Sequence, residues 1–185
     1  PTFPQFTPLK LKDQQELEQR IRSHPPHSDY NLASLWSYDT DNRLQISTLN
    51  DNLVAVFADY ITQQPLVSFL GTKEAAQTTQ TLLNYQRGHS SSPAISLLHE
   101  DTINALPKNH PYTVSEDRDN FDYVMDIDEL VAMKGTKYLK KRTKVHAFER
   151  EYEPQTQVKL LDLYTPTVHA AIIALFLRWE KQRNR

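Results

Sequence analysis

The hydrophobic positions of this chain change period several times, and each change marks an element. In "DQQELEQRIR" Leu17 and Ile21 recur at helical spacing behind Asp13, a reasonable N-cap. That pattern predicts a helix, which Pro25 and Pro26 terminate. Ser28 or Asp29 is placed to cap a second short helix carrying Tyr30, Leu32, Leu35 and Trp36. "RLQISTL" and "LVAVFADY" are strand-like and flank "NDN", a hairpin-turn signal, and "QPLVSFLG" predicts a third strand. Apolar positions Ala75, Ala76, Leu82 and Leu83 predict a helix over 72–86, with Gly88 beyond its end.

Further along, "AISLLH" predicts a strand, and "DTINALP" a short helix ended by Pro107. Residues 121–126 read as a strand closing an irregular hairpin. Asp126 or Asp128 then starts the short helix "DELVAMK", which stops at Gly135. Thr136 is placed to cap a basic helix running to about Tyr152, ahead of Pro154. "TQVKLLDLY" predicts a last strand, and a final helix starts with Pro166 at its first position. Strands and helices interleave throughout, so the expected fold is α/β or α+β, a mixed sheet flanked by helices. The final helix is unusual, because "TVHAAIIALFLRW" is apolar nearly all round. It is expected either to lie buried across the sheet or to dock on something outside this chain.

Composition narrows the chemistry. The 185 residues fit about one domain, and 38% hydrophobic content argues against disorder. A formal net charge of -2 gives no global basic field, so any anion site must be local. There is no cysteine, which removes disulfides, thiolate catalysis and Cys-based metal sites. Three glycines cannot build a Gly-rich phosphate loop. Seven scattered histidines (24, 27, 89, 99, 110, 146 and 169) contain neither H-x-x-x-H nor H-E-x-x-H, so no metal site and no cofactor is expected. Ser90, Ser91 and Ser92 beside His89 lack a nucleophile-elbow context, and no catalytic residue is assigned. The longest apolar run, 168–177, is too short to span a bilayer, and "PTFPQFTPLK" has no signal-peptide core. The expectation is a soluble, cytoplasmic chain.

One local charge feature stands out. Lys137, Lys140, Lys141, Arg142 and Lys144 crowd the first half of the basic helix, while Glu149 and Glu151 lie in its last turns. The helix dipole prefers the reverse order, each misplaced terminal charge costing about 0.3–1 kcal/mol. At 100° per residue Tyr138, Val145, Phe148 and Tyr152 form one stripe expected to face the core, and Lys141 projects within that sector. The five cations are therefore a candidate site for phosphate or an RNA backbone. The competing reading is that Asp126, Asp128 and Glu129 pair with them on an ordinary solvated surface.

The stretch "FDYVMDIDELVAMKGTKYLKKRTKVHAFEREY" resembles a phrase of the phosphatidylglycerol lysyltransferase C-terminal-like family, with Asp122, Tyr123, Leu130, Gly135, Lys137, Lys140, Lys141, Arg142 and Phe148 on its positions. "SDYNLASLW", residues 28–36, is similar to a second phrase of that family. Thr143 stands where the family usually has Asn, and Met125 where an aromatic is usual. The resemblance implies a tandem GNAT-like acyltransferase fold. Residues 1–165 would be the N-terminal GNAT-like domain, and 166–185 a helix leading to a second half absent from this chain. It implies one half of an aminoacyltransferase that uses aminoacyl-tRNA and a lipid or other amine or hydroxyl acceptor. Such a half would be inactive alone and would work in the cytoplasm or at the inner face of the membrane. The partners it implies are aminoacyl-tRNA or another phosphorylated substrate, a membrane-lipid acceptor, and either a C-terminal half or a second copy docked through 166–185. The alternative is a non-catalytic GNAT-like interaction module.

Overall fold

A computed structural model describes residues 1–39, 41–58, 64–89, 92–157 and 159–183. The chain forms two compact units, Pro1–Tyr123 and Val124–Arg185. The fold is mixed α and β.

Unit 1 is built on four strands in sequential order: β1 (Thr7–Pro8), β2 (Gln45–Leu49), β3 (Asn52–Ala58) and β4 (Pro65–Leu70). Every neighbouring pair is antiparallel; among the described residues the parallel pairing is the isolated bridge between Thr2 and Thr48. The β2–β3 connection is the predicted hairpin. Asn50 and Asp51 both take positive φ, 50° and 62°, which is the conformation of a two-residue turn whose twist matches its strands. Asn and Asp tolerate that region better than other non-glycine residues do.

β3 explains why the sheet is covered on both faces. Successive strand side chains point to opposite faces, and "LVAVF" is apolar on both parities. Leu53, Ala55 and Phe57 therefore join one cluster with Ile46, Leu70, Leu17 and Leu35. Val54 and Val56 join another with Val67, Phe69 and Leu82. The first cluster is closed by α1 (Gln14–Arg22) and α2 (Leu32–Ser37), the second by α3 (Ala75–Arg87). A short helix, α4 (Glu100–Asn104), follows, with the His99 ring accepting from Asp101 N at its start.

The expected caps shift by a few residues. The Asp13 carboxylate does not cap α1; it accepts from Lys10 N at 3.0 Å. Ser28–Tyr30 is a single 3-10 turn, and Asn31 caps α2 through Ala33 N and Ser34 N. "AISLLH" is not a strand. Ser96 N reaches Val67 O on β4, but Leu97 then takes φ 56° and turns the chain out of register. Residues 121–126 do not form a strand either, and the Asp122 carboxylate accepts from Ser28 N. Asp59 and Tyr60, the expected end of β3, lie outside the described residues, as do Ser90 and Ser91 of the serine run.

Unit 2 contains three helices among its described residues: α5 (Ile127–Ala132), α6 (Leu139–Glu151) and α7 (Pro166–Arg183). Asp126 caps α5 through Glu129 N at 2.8 Å. α5 ends at Met133, which takes φ 43°, and Gly135 follows at φ 83°. Thr136–Tyr138 forms a 3-10 turn rather than a Thr cap, and α6 starts without a side-chain cap. The described residues of "TQVKLLDLY" form no strand; Val158 lies outside them. α7 begins at Pro166 as expected, but none of its residues is buried. Unit 2 has no sheet among its described residues to receive an all-round apolar helix. No helix among the described residues is long and apolar enough to cross a membrane.

Candidate functional site

The five basic residues of the 137–144 segment fall into two groups. Lys137 forms an ion pair with Glu129 from α5 and lies 5.1 Å from the centre of the Tyr138 ring. The hydrogen bond with Glu129 holds the Lys137 ammonium above its usual range, and Lys137 in turn holds the Glu129 carboxyl below its own. Arg142 is half-buried. Its Nη1 donates to Met133 O and, at 2.9 Å, to Gly135 O, so the guanidinium closes the turn that ends α5. These two cations have intramolecular partners.

Lys140, Lys141 and Lys144 do not. All three are exposed, and among the described residues none makes a side-chain hydrogen bond or an ion pair. Of the three acids that were candidates to neutralise the cluster, Glu129 is committed to Lys137 and Asp126 to the α5 cap. Three uncompensated ammonium groups thus stand in the first half of an uncapped helix, where the dipole opposes them.

The stripe expected to face a core does not. Val145 is 36% exposed, Phe148 48% and Tyr152 50%, while Tyr138 is half-buried. The Phe148 and Tyr152 rings stack on each other, with centroids 5.6 Å apart and planes 28° apart. Because this sector is open, Lys141 carries no burial cost there. The helix period placed these residues on one side correctly, but periodicity names a face and not what covers it.

A second polar assembly lies in unit 1, and sequence reading missed it because its members are distant along the chain. His27 Nε2 donates to Leu97 O at 3.0 Å, while its Nδ1 accepts from Asp29 N at 3.2 Å. Leu97 O also accepts from Ser68 Oγ at 3.1 Å, so the left-handed Leu97 is held by two donors. The His99 ring lies 6.0 Å from that of His27. The Asp122 carboxylate accepts from Ser28 N at 3.1 Å, and its hydrogen bonds to Ser28 hold its pKa below the usual carboxylate range. Asp29 moves the other way, raised chiefly by burial. Burial lowers the His24 imidazole, with Asp101 opposing and His99 adding to the shift. Tyr30 is fully buried against His27 and Phe57, and its hydroxyl, beside Ser68, has no well-formed hydrogen bond among the described residues. Both ring nitrogens of His27 are occupied, so it is neither a free base nor a free ligand. Among the described residues no group of three or more His, Asp or Glu is placed to share a metal ion. This assembly fixes the 24–30 loop against the sheet.

The 28–36 phrase and the 122–148 phrase therefore have different structural roles. The first supplies the buried Tyr30 and the α2 cap; the second supplies the α5 turn and three open lysines. The protein family described as "Phosphatidylglycerol lysyltransferase, C-terminal" matches residues 20–185. No curated protein and no solved structure matches the chain.

Proposed function

The chain belongs to the phosphatidylglycerol lysyltransferase C-terminal family, and from that premise we propose that α6 contacts the phosphates of an aminoacyl-RNA donor used in aminoacyl transfer. One observation carries this reading: among the described residues the side chains of Lys140, Lys141 and Lys144 have no partner, although those of two neighbouring cations do. Charges that serve the scaffold find partners within it, as Lys137 and Arg142 have. Charges kept open against the helix dipole have an energetic reason to take an anion. On this reading unit 1 is a GNAT-like scaffold, and the five-residue anion site contracts to a working set of three lysines. The acceptor is a lipid or another amine or hydroxyl compound.

The test is RNA binding across a salt series. Each lysine that contacts a phosphate contributes about 0.7–0.9 to the slope of log affinity against log salt. Lys140→Ala with Lys141→Ala should lower that slope by about 1.4–1.8 and leave the melting temperature unchanged. A slope unaltered by the double substitution refutes the proposal.

A second reading, a non-catalytic interaction module, draws on α7. Leu175, Phe176, Leu177 and Trp179 are each at least half exposed. Monomer–dimer equilibrium by sedimentation distinguishes it: loss of self-association in Phe176→Ser, with RNA binding unchanged, favours the module.

A further inference from the structure

Lys140, Lys144, Phe148 and Tyr152 are spaced four residues apart, so they form one continuous row along α6 and its C-cap. Lys141 and Val145 form the adjacent row. At 1.5 Å per residue, the row from 140 to 152 is about 18 Å long. Its N-terminal half is basic and has no acidic partner among the described residues; its C-terminal half is a pair of stacked rings, each about half exposed. Ammonium groups that track a backbone beside rings that accept bases are the combination that holds single-stranded nucleic acid.

We propose that this row is a binding surface for a single-stranded RNA segment, with backbone phosphates on Lys140, Lys141 and Lys144 and an unpaired base on the Phe148–Tyr152 pair. The inference rests on the RNA reading of the lysines and adds the strandedness of the ligand. Three observations choose this occupant over another. Lysines supply charge complementarity to a polyanion on the same side as the rings. Every base has a π-face, so a ring pair without a built hydrogen-bonding pocket still holds it. Glu151 sits at the ring end of the row, where a carboxylate repels a phosphate and leaves the lysine end as the place for the backbone. A fully paired helix hides its base faces in the stack and gains nothing from Phe148 or Tyr152.

The experiment compares two RNA hairpins of identical stem, one blunt and one with a four-nucleotide 3′ overhang carrying 2-aminopurine. Affinities are measured for the full chain at a series of salt concentrations. The overhang hairpin should bind more tightly than the blunt one, and binding should change the 2-aminopurine fluorescence. Phe148→Ala and Tyr152→Ala should each cost the overhang hairpin roughly fivefold to a hundredfold and leave the blunt hairpin unaffected. Phe148→Trp should retain the preference. If Phe148→Ala does not fold, Phe148→Leu keeps the bulk and removes the π-face, and the same loss is expected. Lysine substitutions should weaken both hairpins alike.

Equal binding of the two hairpins, with the lysine substitutions still effective, overturns this inference while the phosphate reading stands. Absence of salt-dependent binding to either hairpin overturns both. Binding to anionic lipid vesicles that is lost in Phe148→Ala, with hairpin preference unaltered, overturns it in favour of a membrane surface.

Discussion

Arg142 is the residue at which scaffold and ligand roles are most sharply opposed. It sits among the lysines in sequence, yet its guanidinium donates to Met133 O and Gly135 O at the end of α5. Arg142→Ala removes both hydrogen bonds. A hydrogen bond from a charged donor is worth about 1.5–3 kcal/mol net. The site is only half-buried, so water replaces part of that interaction, and a combined loss of about 1–3 kcal/mol is expected. For a chain of this size, about 2–4 °C of melting temperature corresponds to each kcal/mol, giving a fall of about 2–12 °C. Amide exchange should locate the loss at 133–139, where Met133 and Gly135 hold left-handed backbone that the guanidinium clamps. Arg142→Lys should recover less than half of it, because a flexible, strongly hydrated ammonium lacks the rigid planar group that aims Nη1 at both carbonyls. RNA affinity and its salt slope should not change. Circular dichroism melts of the three proteins and one salt titration suffice. An Arg142→Ala protein with unaltered melting and a slope reduced by about 0.7–0.9 would refute the assignment.

Two further perturbations probe unit 1. Gly71 has φ 135°, and a Cβ there would meet Asn52 Oδ1 at 2.2 Å, while Asn52 itself bonds Lys73 N and O and Thr78 Oγ1. Gly71→Ala should therefore lower stability by about 2–5 kcal/mol in denaturant titration, from backbone strain and steric overlap together. The His24 imidazole is lowered from 6.5, so its neutral form favours the fold: the stability is fully present above 6.5 and is lost as pH falls through the lower folded value. Asp122, held low by Ser28, adds stability that is present above 3.8 and lost at still lower pH. The gap between the melting temperatures of the wild type and His24→Ala should accordingly be constant above pH 6.5 and shrink as pH falls through the folded value.

Sequence by itself determined the local elements of this protein. Short strand-like apolar runs gave β2, β3 and β4, Asn50 and Asp51 the hairpin turn, Asp126 the α5 cap, and Pro166 the start of α7. The turn, the cap and the proline start are fixed by neighbours a few residues away, and the strands are marked by local composition, so a linear pattern reveals them. The family was legible too, because its phrases are local strings. Tertiary structure decided what depends on partners distant in the chain. "AISLLH" has strand composition, but His27 and Ser68 both draw on Leu97 O and the chain turns away. Residues 121–126 form no strand, and Asp122 instead bonds Ser28, 94 positions away. Within the basic segment all five cations look alike as letters. Only the fold commits Lys137 to Glu129 and Arg142 to the α5 carbonyls and leaves Lys140, Lys141 and Lys144 open. The apolar stripe of α6 was visible as a stripe, but its exposure depends on what packs against it, and no periodicity encodes that.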